Sequence, residues 1–167
     1  MTIPLVLGTV LTGHASAVFR RRKPFLLATA TVGVTGWLAL AALGTPPLWL
    51  LDFLFAAVGW AVSGFVAAFS VAKEVNLALS TGIATGVVNA GGFVGAALAQ
   101  PFVGWLLDRS WAGQVSAGMR VYEPADYLGA QWVSVAIAAV AVVGALLSRE
   151  TYATHTLPPH GSLRLHT

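Results

Sequence analysis

The amino-acid sequence predicts an all-α integral membrane protein, a multi-pass helical bundle with about five transmembrane helices. Composition is the first observation behind this prediction. Of the 167 residues, 57% are hydrophobic and only 9% are charged, whereas soluble domains carry roughly 25% charged residues. A soluble fold of this size could not cover its water-facing surface with so few charges. This composition excludes a soluble enzyme, a nucleic-acid-binding protein and a disordered chain.

The lengths of the stretches without Asp, Glu, Lys or Arg are the second observation, because a spanning helix needs about 20 mostly apolar residues. Pro46-Pro47 separates two such stretches, since paired prolines cannot continue a helix. Apolar runs such as residues 135–143 do not alternate with polar residues, which excludes a β-barrel. The first predicted helix is short. The five predicted helices cover residues 1–19, 25–43, 48–72, 78–107 and 127–148.

The distribution of basic residues predicts the orientation, because Lys and Arg concentrate in cytoplasmic loops. With five spans, Arg109 and Arg120 fall outside and the other seven basic residues fall inside. Those seven are Arg20, Arg21, Arg22, Lys23, Lys73, Arg149 and Arg164. Residues 1–151 are therefore a transmembrane domain that starts outside, and residues 152–167 are a disordered cytoplasmic tail. A cleaved signal peptide is not expected, because the positive charges follow the first apolar stretch.

The predicted helix over residues 78–107 carries small and polar side chains at helical spacing. Small residues four apart let helix backbones approach closely, so we interpret Gly82, Gly86, Gly91 and Gly95 as helix-packing residues. A polar stripe on the same helix comprises Thr81, Thr85, Asn89 and Gln100. An amide in lipid is unfavourable unless it faces the bundle or a wet cavity. The stripe therefore either lines a substrate path or forms interhelical hydrogen bonds that hold the bundle together.

Charged residues at the ends of predicted helices are further candidates. Asp52 lies four residues inside its helix and is a candidate substrate-path residue. Its position beside Trp49, near the outer end, also fits an interfacial carboxylate. Lys73 and Glu74 lie at the inner end between two spans. They form either a solvated loop pair or a contact that locks one conformation of a moving bundle.

Chemical motifs of other classes are missing from the sequence. There is no cysteine, no Ser–His–Asp arrangement, no phosphate-binding glycine loop and no pair of carboxylates suited to catalysis. We therefore expect no enzymatic activity, no cofactor and no metal site. The histidines His155, His160 and His166 have no acid or cysteine nearby to complete a metal site, and we interpret them as part of the tail.

Several segments resemble the C-terminal half of major facilitator superfamily transporters. The loop Arg20-Arg21-Arg22-Lys23-Pro24, after Gly13, resembles the family's Gly-x-x-x-Asp-Arg-x-Gly-Arg-Arg motif. Ala17 stands where the family has its acid. Residues 72–108 are similar to the region of the eleventh helix in bacterial members, and residues 122–151 resemble the last helix and its exit. The shared pieces are Ala72-Lys73-Glu74-Val75-Asn76, the run 80–93, Gln100-Pro101, Gly104 to Asp108, Tyr122 to Tyr127, and Arg149-Glu150-Thr151.

The resemblance implies a twelve-helix transporter with two six-helix halves that rock around a midplane substrate site. This chain then corresponds to the end of helix eight through helix twelve, as a fragment or truncated form. It implies a bacterial inner membrane, an N-terminal half as partner, no nucleic acid, and a small solute moved by a proton or other gradient, as in a symporter. The implied gate residues are Gly13, Arg21, Arg22, Lys23, Lys73 and Glu74.

Two other functions stay open. One is a small accessory or oligomeric membrane protein that acts through its glycine faces without transport. The other is a channel formed by several copies of the chain. Solute uptake that depends on Asn89 or Gln100, in the presence of an N-terminal half, distinguishes a transporter from both.

Overall fold

The computed structural model describes residues 2–156, and within them it shows six α-helices. Met1 and residues 157–167 lie outside the described part, so the predictions for His160, Arg164 and His166 are not addressed. The long loop after α5 contains a short antiparallel hairpin, Val115–Ser116 with Met119–Arg120, and 3-10 turns lie at Ala78–Ser80 and Pro124–Tyr127. The helices are α1 Thr2–Val18, α2 Lys23–Leu43, α3 Leu48–Ala61, α4 Gly64–Glu74, α5 Thr81–Ser110 and α6 Leu128–Leu147.

Four helical segments among the described residues are long and apolar enough to cross a membrane, which agrees with a helical bundle. The sequence predicts five spans; the first, α1, is a shorter apolar helix of 17 residues. The four segments are Lys23–Leu43, Leu48–Glu74, Ala78–Ser110 and Pro124–Leu147.

The segment Leu48–Glu74 is divided into two helices, although the sequence predicts one continuous helix over residues 48–72. A turn at Val62 and Ser63 separates α3 from α4. The hydroxyl groups of Ser63 and Thr12 on α1 share a hydrogen bond of 2.9 Å. Gly64 follows and packs against Thr29 on α2. The turn therefore lies where α1 and α2 meet the α3–α4 junction.

The core of the bundle forms around α2, which packs against α3, α4 and α6. Glycines bring these helices close together: a Cβ atom at Gly36 would lie 2.8 Å from Val58 Cγ2, and one at Gly8 would lie 2.6 Å from Trp60 Cδ1. Leu40 on α2 is among the largest fully buried side chains. The closest glycine-mediated contacts thus join α1 to α3, α2 to α3, and α4 to α2.

Helix α5 is peripheral: all thirty of its residues are described and none is buried. It packs against α4, α6 and the two 3-10 turns, which precede α5 and α6. The predicted packing glycines have nothing within 4 Å of an added Cβ atom within residues 2–156. This holds for Gly82, Gly86, Gly91 and Gly95. Their role in helix packing stays a prediction.

The two ends of the bundle differ in charge. One end of the bundle carries Arg22, Glu74 and Glu150, which are held together by hydrogen bonds. We call this end the basic end. Six of the eight basic residues among residues 2–156 lie there, with two acids. The opposite, acidic end brings Thr45, Tyr122 and Tyr127 around one cavity. The acids there are Asp52, Asp108, Glu123 and Asp126.

Candidate functional site

A buried ion pair between Arg22 and Glu74 lies at the centre of the basic end. Arg22 immediately precedes α2, and Glu74 is the last residue of α4. The chain turns sharply between α1 and α2 because Arg20 adopts a left-handed conformation with φ of 50°. Arg22 Nη2 donates to Glu74 Oε1 at 2.8 Å, and Nε donates to the same oxygen at 3.1 Å. Their side chains are only 10% and 11% exposed.

Hydroxyl groups satisfy the remaining atoms of this ion pair. Arg22 Nη1 donates to Ser16 Oγ at 2.9 Å, and the Thr151 hydroxyl donates to Glu74 Oε2. The backbone N–H of Thr156 donates to the Glu74 carbonyl at 2.8 Å. Buried charges are tolerated when their hydrogen-bonding capacity is filled. The pair therefore joins α1, α2, α4 and the segment that follows α6.

Glu150 binds the N-terminus of α2 from the far end of the described chain. Its carboxylate accepts hydrogen bonds from the backbone N–H groups of Arg22 at 2.8 Å, Lys23 at 3.3 Å and Thr151 at 3.1 Å. The first N–H groups of a helix have no partner within the helix, and the helix dipole favours a negative charge there. A side chain about 130 residues away in sequence thus caps α2.

The environment of Glu150 lowers the pKa of its carboxyl group. Partial burial acts against ionisation, but the backbone N–H donors of Arg22, Tyr152, Lys23 and Thr151 together outweigh that effect. A carboxyl group with a depressed folded-state pKa stabilises the fold above its unfolded pKa. That stabilisation is lost as the pH falls through the folded pKa.

We expect the basic end to loosen as the pH falls from 4.5, the ordinary pKa of a Glu carboxyl group, through the lowered pKa of Glu150. Protonation weakens acceptance from the α2 N–H groups, so unfolding in detergent should become easier in that window. The comparison is with Glu150→Gln, which should already be less stable at neutral pH and lose this component of the pH dependence. If the unaltered protein and Glu150→Gln show the same pH dependence of stability, the capping role of Glu150 is contradicted.

The other predicted gate residues make contacts of different kinds. Lys23 Nζ donates to the Leu146 carbonyl at 2.6 Å, and the Arg21 guanidinium lies 5.3 Å from the centre of the Tyr152 ring. Gly13 packs against α4, since an added Cβ atom would lie 3.3 Å from Val66 Cγ1. Lys73 is exposed and forms no side-chain hydrogen bond with any described residue. The structure therefore places Arg22, Lys23 and Glu74 together and leaves Lys73 apart.

Sequence reasoning did not single out Ser16, Glu150 or Thr151 for the site by their chemistry. A hydroxyl residue in an apolar helix, or an acid after the last helix, gives little signal of its role. The available hint was Ala17, because a basic loop without its own acid needs acids from elsewhere. Glu74 and Glu150 supply them.

The predicted polar stripe on α5 divides into two kinds of residue. The Thr85 hydroxyl donates to the Thr81 carbonyl at 2.9 Å, inside its own helix. Asn89 and Gln100 are exposed, and their amides form no hydrogen bond within residues 2–156. Asn89 lines a groove of about 330 Å³ between α4 and α5, together with Phe65, Phe69 and Phe93. The interhelical hydrogen bonds considered for these amides therefore do not form inside the described chain.

Asp52 is exposed near the start of α3, at the acidic end. Its carboxylate has no hydrogen-bond or ion-pair partner among the residues described. The Arg22 cluster lies at the opposite end of the bundle, so the structure does not bring these candidate residues together. Another exposed group at the acidic end is structural. Asp108 accepts from Arg120 at 2.7 Å and from the Tyr122 hydroxyl at 2.6 Å, which fixes the hairpin.

Comparisons with protein-family models, with curated proteins and with solved structures find no match for this chain. The resemblance to the major facilitator superfamily stays a prediction.

Proposed function

We propose that this chain is the C-terminal part of a major facilitator type secondary transporter that moves a small solute by alternating access. In this proposal the helices span a bacterial inner membrane with the basic end in the cytoplasm. The chain supplies one wall of the solute path, and an N-terminal half supplies the other. A proton or other ion gradient drives the movement.

The exposed amides on α5 carry this proposal. Helix α5 is long and apolar enough to span a membrane, yet none of its residues is buried. Asn89 and Gln100 project from it without a hydrogen-bond partner among the described residues. An amide is unfavourable in hydrocarbon and is found facing a bundle interior or water. Placing this face of α5 against a second half, along an aqueous path, satisfies both amides.

The ion pair at the basic end supports a gating role. Arg22, Glu74 and Glu150 connect the α1–α2 junction, the end of α4 and the segment after α6 at one end of the bundle. Moving these junctions apart requires that the Arg22–Glu74 pair break. In this proposal the junctions separate during the transport cycle, so the Arg22–Glu74 pair locks one conformation of a moving bundle. The excess of basic residues at this end supports a cytoplasmic position.

An accessory or oligomeric protein without transport is the second candidate. The open space beside Gly82 and Gly86, and beside Gly91 and Gly95, favours it. Small residues four apart permit close approach of another helix. The two pairs lie on different faces of α5, because helical residues five apart point in different directions.

Single cysteines test the solute-path proposal, and the chain has no cysteine of its own. Asn89→Cys and Gln100→Cys are expected to react with a charged, water-soluble methanethiosulfonate reagent in native membranes. Leu98→Cys is the matched control, since Leu98 is 70% exposed and lies on the opposite face of α5. It should react only after denaturation, because lipid excludes the reagent and suppresses the thiolate.

The outcomes separate the two candidate functions. Reaction at residues 89 and 100, but not at 98, supports an aqueous path. Protection at all three positions, with disulfide-linked dimers of Gly86→Cys, supports helix association instead. Equal reaction at all three positions overturns both, because α5 would then be surrounded by water.

A further inference from the structure

We propose that the groove between α2, α4, α5 and α6 binds one acyl chain of an anionic phospholipid of the cytoplasmic leaflet. In this site the phosphate lies at the basic end beside Lys23, Lys73 and Arg149. The inference rests on the membrane position given under Proposed function. It adds a lipid partner and a headgroup preference to that function.

The groove is a cavity of about 520 Å³ with an almost entirely aliphatic lining. This volume falls within the range of roughly 300–1,000 Å³ for ligand pockets. Representative lining residues are Leu26, Ala30, Phe65, Ala68, Val88 and Ala141. Such a lining suits hydrocarbon, and it extends along the half of the bundle next to the basic end.

The few polar groups of the groove are already used by the protein. Thr29 and Ser148 are the polar side chains among the described lining residues. Thr29 Oγ1 donates to the Phe25 carbonyl at 2.8 Å, and Ser148 Oγ donates to the Ala145 carbonyl at 2.7 Å. A polar solute would therefore lose its hydration without gaining free donors, which is unfavourable. The lining therefore disfavours a polar solute and favours an acyl chain.

The groove is open toward the surroundings of the bundle. Helix α5 contributes only Val88 to the described lining, and none of its residues is buried. Phe65, on the α4 wall, remains 44% exposed. At this depth in a bilayer the surroundings are hydrocarbon and not water. A void beside aliphatic side chains forfeits dispersion contacts, so an acyl chain is the favoured occupant.

Cationic residues stand next to the lining at the basic end. Lys23 precedes Leu26 by about one turn, Lys73 follows Ala72, and Arg149 follows Ser148. Lys23 Nζ donates to the Leu146 carbonyl, and an ammonium group has two further N–H donors. Lys73 and Arg149 are exposed, and no described acid pairs with them. Charge complementarity therefore selects an anionic headgroup.

The acids at this end do not neutralise these three cations. Glu74 is engaged by Arg22 and Thr151, and Glu150 by backbone N–H groups of α2. The cytoplasmic leaflet is rich in anionic lipid, and basic pockets between helices on that side bind anionic headgroups. Both parts of the proposed ligand thus have complementary surfaces in adjacent positions.

Native mass spectrometry of the full chain tests the proposal. The protein is reconstituted in vesicles of equimolar phosphatidylglycerol and phosphatidylcholine, extracted mildly, and analysed for retained lipid. One phosphatidylglycerol per chain is expected, in clear excess over phosphatidylcholine. In a double variant, Lys73→Gln with Arg149→Gln, this preference should fall by about fivefold for each cation removed. Arg109→Gln, at the acidic end, is the matched control and should leave the preference unchanged.

A groove-filling substitution tests the acyl-chain part separately. A Cβ atom at Gly144, which lines the groove, meets nothing within 4 Å among the described atoms, and the same holds at Gly104 on α5. Gly144→Phe should therefore fill the groove and lower total lipid retention about tenfold, whereas Gly104→Phe should not. Equal retention in both phenylalanine variants, or equal binding of both headgroups by the unaltered protein, overturns the proposal.

The outcome is independent of the transport test. If the chain is absent from the membrane fraction, the proposed function fails together with the lipid site. If the chain is in the membrane but retains no preferred lipid, only the lipid site fails. The charge variants keep the test decisive even if Gly144→Phe does not fold, because neither Lys73 nor Arg149 packs in the core.

Discussion

Replacing Arg22 with alanine is expected to lower the free energy of unfolding by about 3–5 kcal/mol, the typical cost of breaking a buried ion pair. The substitution leaves the Glu74 carboxylate buried without its cation and leaves Ser16 without its donor. Unfolding of the purified protein in mixed detergent micelles, followed by tryptophan fluorescence, measures the change.

Arg21→Ala is the matched control for this prediction. Arg21 belongs to the same loop but is exposed, and its guanidinium stacks on Tyr152. An exposed cation–π contact contributes only about 0.5–1 kcal/mol. Equal losses of unfolding free energy in Arg21→Ala and Arg22→Ala contradict the buried ion pair.

A double substitution distinguishes the effect of an unpaired buried charge on stability from the role of the ion pair in gating. Arg22→Met with Glu74→Leu should recover most of the stability lost in Arg22→Ala, because hydrophobic residues of similar volume often replace a buried ion pair without cost. Under the transport proposal the double variant should nevertheless transport abnormally, since it lacks the contact that holds the basic end closed. Normal uptake by a stable double variant contradicts the gating role.

Replacing Gly64 with alanine is expected to destabilise the bundle by about 1–3 kcal/mol, the usual cost of overpacking a core. An added Cβ atom would overlap the Thr29 hydroxyl oxygen and lie 3.1 Å from Thr29 Cβ. Thr29 is 2% exposed, and its hydroxyl bonds the Phe25 and Leu26 carbonyls, so it cannot move away freely. Denaturation in mixed micelles gives the free-energy difference.

Gly86→Ala is the comparison for Gly64→Ala, because nothing described lies within 4 Å of an added Cβ atom there. In the purified chain it should be neutral or stabilising by up to about 1 kcal/mol, since alanine favours helix over glycine. In native membranes, the same methyl group should weaken association if a partner helix packs on that face. If Gly86→Ala lowers the free energy of unfolding of the purified chain as much as Gly64→Ala does, the exposed position of Gly86 on α5 is contradicted.

The helical bundle was predictable because its physical cause is local. The length of an apolar stretch and the prolines at residues 46 and 47 are read directly from the chain. The turn at Ser63 was not predictable, since it coincides with a contact to Thr12, 51 residues away. Glycine spacing likewise predicted packing on α5, whereas the close contacts in this chain involve isolated glycines such as Gly8 and Gly36.

The sequence allowed some residues of the candidate site to be predicted, but not the contacts between them. Arg22 and Glu74 both stand out as charges beside apolar helices. Their pairing depends on how α1, α2 and α4 are packed, and no local pattern records that. Thr151 is an ordinary residue in the sequence and becomes part of the site only because the segment after α6 returns to Glu74.

The cap on α2 also has a consequence for biosynthesis. Ribosomes make a chain from its N-terminus, so α2 is complete long before Glu150 and Thr151 exist. Until those residues leave the ribosome, the first N–H groups of α2 and one oxygen of Glu74 lack their final partners. The helices can therefore form one after another, but the contacts of the basic end are complete only after α6 and the residues that follow it have been made. The contacts of this end therefore depend on residues that are made after all six helices.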